Sequence, residues 1–274
     1  MKILIPTDFS KHSKLAIQYA VKMTIKLEAE LILLHVVHMD IPPRAAVATN
    51  VKNIEDAMVD SAKQDCLQLI KDIKSDNKGK INLSYKIVKG YPFESVVANF
   101  AHHNDFSLII MGTKGASGLK KILMGSNASA IINNCEIPVI TVPEFARFKS
   151  LKNIVYATDM ANLNAEMNSL VPLVKLFDGT VHILHVMSPS SETKIDKNKI
   201  INDLISKINH PKITFHILLN DDIAEGIDEY LAETKADMLV MFTHNLSFFE
   251  RLFGKSVTRK MAFQSWIPLL TMKK

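Results

Sequence analysis

The sequence predicts an α/β fold built on a parallel sheet and made twice within 274 residues. Three observations predict it. Short apolar runs of strand length alternate with amphipathic stretches of helix length, the pattern of strands joined by right-handed helical crossovers. The same order of elements then starts again about halfway along the chain. And one apolar run, residues 108–111, leads through a glycine-rich loop into a new helical pattern, the layout in which backbone N–H groups at a helix start can face an anion.

Residues 2–6 read as a short buried strand ending in Thr7-Asp8. Ser10 can cap a following helix whose apolar face is Leu15, Ala16, Tyr19, Ala20 and Met23. Residues 30–37 form a second apolar strand, 39–49 are irregular with Pro42-Pro43, and 51–74 read as a long amphipathic helix. Residues 81–88 alternate as a third strand. Gly90-Tyr91-Pro92 breaks the chain, and Pro92 suits the first turn of a helix running through His102. Residues 107–111 make the fourth strand, 128–132 begin a helix, and 138–142 make the fifth strand.

The second copy follows. KILIPTDFS recurs as KNIVYATDMA, placing Asp159 151 positions after Asp8. LILLHVV recurs as VHILHVM, so His185 follows His35 by 150. SLIIMGT recurs as DMLVMFT and CEIPVIT as SWIPLLT, both at an offset of 130. The second copy is therefore shorter by about twenty residues between its second and third strands. Preserved order with one deletion indicates a duplicated domain, with domains expected at 1–146 and 147–274.

The glycine loop has the spacing Gly112-x2-Gly115-x9-Gly125-Ser126, with Gly118 and the pair Lys120-Lys121 inside it. It matches neither GxxxxGK[ST] nor GxGxxG. A glycine-rich turn that binds nothing would use the same residue type, because glycine supplies turn conformations. Asp8 has a second reading as a helix cap, and Lys120 and Lys121 read as solvated surface. Gly254-Lys255-Ser256 imitates the tail of a Walker loop, but Phe249 stands where the earlier glycine is required.

Composition narrows the field. Apolar residues, 47% of the chain, can fill a sizeable core, and no apolar run reaches the ~18 residues of a membrane span. The amino-terminal MKILIPTDFS reads as a strand and not as a signal peptide. A net charge of +5 is spread along the chain with no basic stripe interleaved with aromatics, so neither a nucleic acid nor a membrane is the expected partner. Cys66 and Cys135 lie far apart in helical patterns and read as reduced, buried thiols of a cytoplasmic protein. No G-x-S-x-G nucleophile elbow occurs. His182 and His185, like His35 and His38, are three apart on expected strands and read as core or edge histidines, not metal ligands. His102-His103 suit a helix end, Asp221-Asp222 a helix start, and the 13 methionines are scattered, as core filling is.

The signature G-x2-G-x9-G-[S/T], together with ILIPTDFS, LILLHVV, VKGYPFESV, LIIMGTKGASGL and IPVITV, resembles the universal stress protein family, and the whole chain resembles a tandem member of it. The resemblance implies two open five-stranded parallel sheets of order 3-2-1-4-5 with helices on both faces, an adenine nucleotide alpha hydrolase-like fold. Ligands of such sheets lie beyond the carboxyl ends of the strands, where the strand order reverses. By resemblance, ATP would occupy this crevice in the first half. Asp8 would meet the ribose, with Pro6 and Thr7 on the same wall, and Val37 or a neighbour would meet the adenine edge through its backbone. Met111, Gly112 and Gly115 would line the ribose and phosphate path, and Lys114 would reach phosphate. Gly125, Ser126 and Asn127 would cradle phosphates through N–H groups and the Ser126 hydroxyl. Charge-assisted hydrogen bonds of about 1.5–3 kcal/mol each would support micromolar binding, about −8 kcal/mol. Mg2+ is a companion of such phosphates, and no dedicated carboxylate site for it is visible. The resemblance further implies an intramolecular pseudo-dimer through the fifth strands, or a homodimer. The function implied is a regulatory, stress-response module. A slow ATP-hydrolysing enzyme and an interaction protein that binds no nucleotide are the alternatives; the SGG-x-DS and HIGH-type motifs of related enzymes are absent.

The second half departs from this pattern. Asp159 matches Asp8 and Ser256 matches Ser126, but Phe242, Asn245 and Lys255 replace the three glycines. A left-handed backbone at 255 would add about 1–2 kcal/mol of strain for a lysine. Weak or no nucleotide binding is expected there.

Overall fold

The computed structural model describes residues 1–25, 27–38, 50–77, 81–113, 124–191, 195–208, 210–243 and 266–273. The chain divides into two compact units, Met1–Thr141 and Val142–Lys274. The first carries β1 (Lys2–Pro6), α1 (Lys11–Thr24), β2 (Glu30–Val37), α2 (Asn50–Asp76), β3 (Leu83–Lys89), α3 (Phe93–His103), β4 (Leu108–Gly112), α4 (Ser126–Asn134) and β5 (Val139–Val142). Its strands stand in the order β3-β2-β1-β4-β5. β1 pairs in parallel with both β2 and β4, Ile3 lying opposite Leu31 on one side and Leu108 on the other. The strand order therefore reverses between β1 and β4.

The second unit repeats this with β6 (Asn153–Ala157), α5 (Leu163–Lys175), β7 (Thr180–Met187), α6 (Lys197–Lys207), β8 (Ile213–Leu219), α7 (Ile223–Glu233), β9 (Met238–Phe242) and β10 (Leu269–Met272). Its order is β8-β7-β6-β9-β10, with β6 parallel to β7 and β9. The expected strand order thus holds in both units. The shorter second copy is explained by one element, since α6 has 11 residues where α2 has 27.

The strands are continuous apolar runs because helices cover both faces of the sheet. Ile3, Leu4 and Ile5 of β1 and Ile109 and Ile110 of β4 are wholly buried. Helix α1 packs on this layer through Ala16, Ile17, Tyr19, Ala20, Val21 and Met23, while Leu15 is only half-buried. Full burial of one such Leu or Ile side chain contributes about 1.5–3 kcal/mol. Short polar side chains start the helices: Ser10 accepts from the Ser13 N–H, Asp196 from Lys199 and Asp222 from Ala224 and Glu225. Pro92 is the N-cap of α3. Cys66 and Cys135 are buried free thiols, and burial, with Asp65 nearby, pushes Cys66 up to about 11, so it stays protonated at neutral pH. Among the described residues no helix is long and apolar enough to cross a membrane.

Candidate functional site

The site begins in the turn after β1. The Thr7 N–H donates to the Leu34 carbonyl at 2.9 Å, carrying the β1–β2 ladder one residue past Pro6. Thr7 Oγ1 accepts from the Phe9 N–H at 3.1 Å and bonds Ser13 Oγ at 3.1 Å. Asp8 Oδ1 accepts from the Ser10 N–H at 3.1 Å, an Asx-type turn. Asp8 therefore shapes the approach to α1, whose cap is Ser10. Phe9 takes the left-handed φ of 60° that this tight reversal demands. From β2, His35 Nδ1 lies 2.8 Å from the Thr7 carbonyl. A carbonyl can only accept, so Nδ1 carries the hydrogen.

The second wall begins where β4 ends. Thr113 follows Gly112, and the Thr113 carbonyl accepts from the Gly125 N–H at 2.6 Å. That bond ties the two ends of the glycine loop together and sets α4 at the carboxyl end of β4. Gly125 is the N-cap of α4, and no side chain caps this helix among the described residues. Its first-turn N–H groups carry the positive end of the helix dipole. Gly125 has φ −67° and ψ 157°, extended backbone open to any residue. The matching position of the second copy, Lys255, lies outside the described residues. Glycine at 125 keeps a side chain out of the cleft; it does not relieve the backbone.

These two walls enclose a cleft of about 360 Å3. Pro6, Thr7, Asp8, Met111, Gly112, Gly125, Ser126 and Asn127, all singled out in the sequence, line it together. Two further sequence candidates, Lys114 and Gly115, lie outside the described residues. Val37 does not line the cleft: it is buried, and its carbonyl accepts from the Gly90 N–H at 3.2 Å. His35 and Val36 stand on that wall instead. The sequence reading missed Phe93, Ser13 and Thr113 as lining residues. Thr113 adjoins the motif and Ser13 follows the cap by three, but Phe93 is brought in by the β3–α3 crossover, which no local pattern announces. Pro6, Val36, Phe93 and Met111 offer apolar surface. Thr7, Ser13, Thr113, Ser126 and the start of α4 offer hydroxyls and N–H groups, and Asp8 is the carboxylate among the described lining residues. An apolar slot, one carboxylate acceptor and an uncapped helix start suit a ligand with a flat apolar part, hydroxyls and an anionic end.

The second unit repeats the turn and changes the rest. Thr158 N–H donates to the Leu184 carbonyl (3.0 Å), Thr158 Oγ1 accepts from Met160 N–H (2.9 Å), and Asp159 Oδ1 accepts from Ala161 N–H (3.0 Å). His185 Nδ1 lies 2.9 Å from the Thr158 carbonyl, and Met160 has φ 72°. But β9 ends in buried Phe242, packed edge-on against Tyr156 with ring centroids 5.6 Å apart. Tyr156 stands where β1 has Ile5. Its hydroxyl is 3.0 Å from Thr158 Oγ1 and is hydrogen-bonded to the buried carboxylate of Glu166 on α5. Burial and then Glu166 push the phenol far above its ordinary range, so it remains a donor. Asn245, Lys255 and Ser256 lie outside the described residues.

Other sequence candidates fall elsewhere. Asp222 caps α7, and Asp221 Oδ1 accepts from Ser188 Oγ at 2.5 Å. His102 and His103 end α3. Among the described residues no group of three or more His, Cys, Asp or Glu side chains is arranged to hold a metal ion.

Comparison with known proteins agrees with this geometry. Residues 1–143 and 151–273 each match the profile described as "Universal stress protein family". Two universal stress proteins of Methanocaldococcus jannaschii are similar to about half of the chain. One is 32% identical over 142 residues, spanning 52% of this chain and 81% of the relative. The other is 31% identical over 154 residues, spanning 52% of this chain and 93% of the relative. The crystal structure of a universal stress protein from Archaeoglobus fulgidus shares the fold over 99% of this chain and 98% of its own, with a TM-score of 0.73 at 18% identity.

Proposed function

Because the chain belongs to the universal stress protein family, we propose that its first unit binds an adenine nucleotide, with ATP as the reference ligand, and that the second unit binds none. The observation that carries this reading is the cleft at the reversal of strand order: the glycine-motif residues, Asp8 and an uncapped α4 start line one space of about 360 Å3. In this reading Asp8 accepts from ribose hydroxyls, Val36 and Phe93 sandwich or flank the base, and the N–H groups and hydroxyls of Ser126 and Asn127 hold phosphate. Each of these bonds to a charged oxygen contributes about 1.5–3 kcal/mol, enough in combination for micromolar affinity after the losses of association. The nucleotide shifts a conformation or a partner surface, which makes the protein a regulatory module and not primarily a catalyst.

Calorimetric titration of the full chain with ATP tests this, supported by mass spectrometry of ligand carried through gentle purification. The expected result is one site per chain with micromolar affinity. Two equivalent sites would overturn the assignment of the second unit, and no heat at millimolar ATP would overturn the assignment of the first.

A further inference from the structure

The second unit holds a side-chain cluster for which the first has no counterpart. His182 on β7 and Thr214 on β8 are cross-strand partners, and His216 lies two residues further along the same face of β8. Thr214 Oγ1 is 3.0 Å from His182 Nδ1 and 3.0 Å from His216 Nε2. The two imidazole centroids are 6.1 Å apart, and Tyr230 of α7 packs on both, at 5.0 Å from His216 and 6.4 Å from His182. The second ring nitrogen of His182 lies 3.4 Å from Asn153 Oδ1 on β6. Two further charges act on the cluster: Lys197 at the start of α6 on His216, and Glu233 at the end of α7 on His216 and Tyr230. The repeat offsets place Ile32, Ser84, Lys86 and Phe100 at the matching positions of the first unit.

One hydroxyl has one hydrogen. Thr214 can donate to one imidazole nitrogen while accepting from the other, which fits two neutral rings. With both rings protonated, every ring nitrogen becomes a donor, the Thr214 hydroxyl hydrogen loses its imidazole acceptor, and two cations share a half-buried space in which Lys197 adds more repulsion at His216 than Glu233 offsets. We propose that His182, Thr214, His216 and Tyr230 form a proton-sensitive tie between α7 and the β7–β8 ladder, closed while the imidazoles are neutral and opened when they take up protons. Burial, and then the neighbouring His216, hold His182 below the ordinary histidine range; burial, and then Lys197, do the same for His216. The unfolded segment therefore binds protons before the folded one does. The contribution is fully present above the ordinary histidine value, near ~6.5, and is lost progressively as pH falls from there through the lower folded values.

Hydrogen–deuterium exchange on the full chain at pH 7.5 and 5.5, corrected for the intrinsic rate, tests the tie. Opening of segments 180–187, 213–219 and 223–233 is expected to rise at the lower pH, by at most about tenfold per imidazole, while 30–37, 83–89 and 93–103 change less than twofold. In the variant carrying H182Q and H216Q, which keeps hydrogen-bonding capacity without a titrating ring, the rise disappears. NMR titration of the wild-type imidazoles gives a second reading that does not depend on any variant folding: both rings titrate below the ordinary range. Equal opening at the two pH values, a rise that persists in the glutamine variant, or imidazoles that titrate at or above the ordinary value would each overturn the proposal.

Discussion

The two units build the same turn and close it over different ends. After β1 and after β6, the threonine hydroxyl, the aspartate carboxylate and the strand-two histidine make matching hydrogen bonds, within 0.2 Å of each other in length, around a left-handed residue that is Phe9 in one and Met160 in the other. What the units share is therefore the frame of the turn. What they do not share is the next strand end: Gly112 opens a cleft after β4, whereas Phe242 after β9 is buried against Tyr156. The threonine–aspartate turn is thus common to both units, and the residue ending the fourth strand is where they differ: Gly112 lines the cleft and Phe242 is buried.

The largest effect expected from disturbing this contrast is on stability. Phe242→Ala should destabilise the second unit by about 3–5 kcal/mol through loss of a buried ring. Chemical denaturation followed by the fluorescence of Trp266, the chain's single tryptophan, reads it, because Trp266 belongs to that unit and lies 5.1 Å from the Phe145 ring. ATP affinity should not change. Next comes Gly125→Asp, which places a carboxylate in the cleft at the start of α4, where the proposed nucleotide would set its phosphates. ATP affinity should fall at least a hundredfold, about 3 kcal/mol. Aspartate is a slightly better N-cap than glycine, so the melting temperature should stay level or rise. A parallel loss of binding and stability would mean that position 125 supports the fold and not the ligand. The smallest effect sharpens the contrast most. Asp8→Asn and Asp159→Asn both keep the Oδ1 acceptor of the turn, and each should change stability by less than about 0.5 kcal/mol. Only Asp8→Asn should weaken ATP, by about tenfold, since it alone removes a carboxylate from the cleft. Equal binding by the two variants would confine Asp8 to the turn.

Much of this was legible in the chain because strands covered on both faces are written as unbroken apolar runs, and the repeat supplied a second copy of each. β1, β2, β4 and β5 and their counterparts fall within a residue or two of the positions read from the sequence. The glycine-motif residues that are described gather at one cleft, as their order after β4 implies. Other features depend on contacts that no local pattern records. Val37 ends β2 as read, but its carbonyl accepts from the Gly90 N–H, and its neighbour Val36 lines the cleft. Gly125 has extended backbone that any residue could adopt, so its place at the cleft and not its conformation sets it apart. The Tyr156–Glu166 pair unites a strand and a helix ten residues apart, and His182 finds Thr214 and His216 only through strand pairing. Both are set by register, which composition and spacing do not carry.

The hydrogen bond between the Thr113 carbonyl and the Gly125 N–H has an evolutionary consequence. It makes Thr113 and Gly125, the points where the chain leaves β4 and enters α4, part of the scaffold. With both points held, a longer connection between them would add little cost, because loop-closure entropy grows only slowly with length. A duplicated domain can therefore vary the length of this connection without rebuilding its sheet.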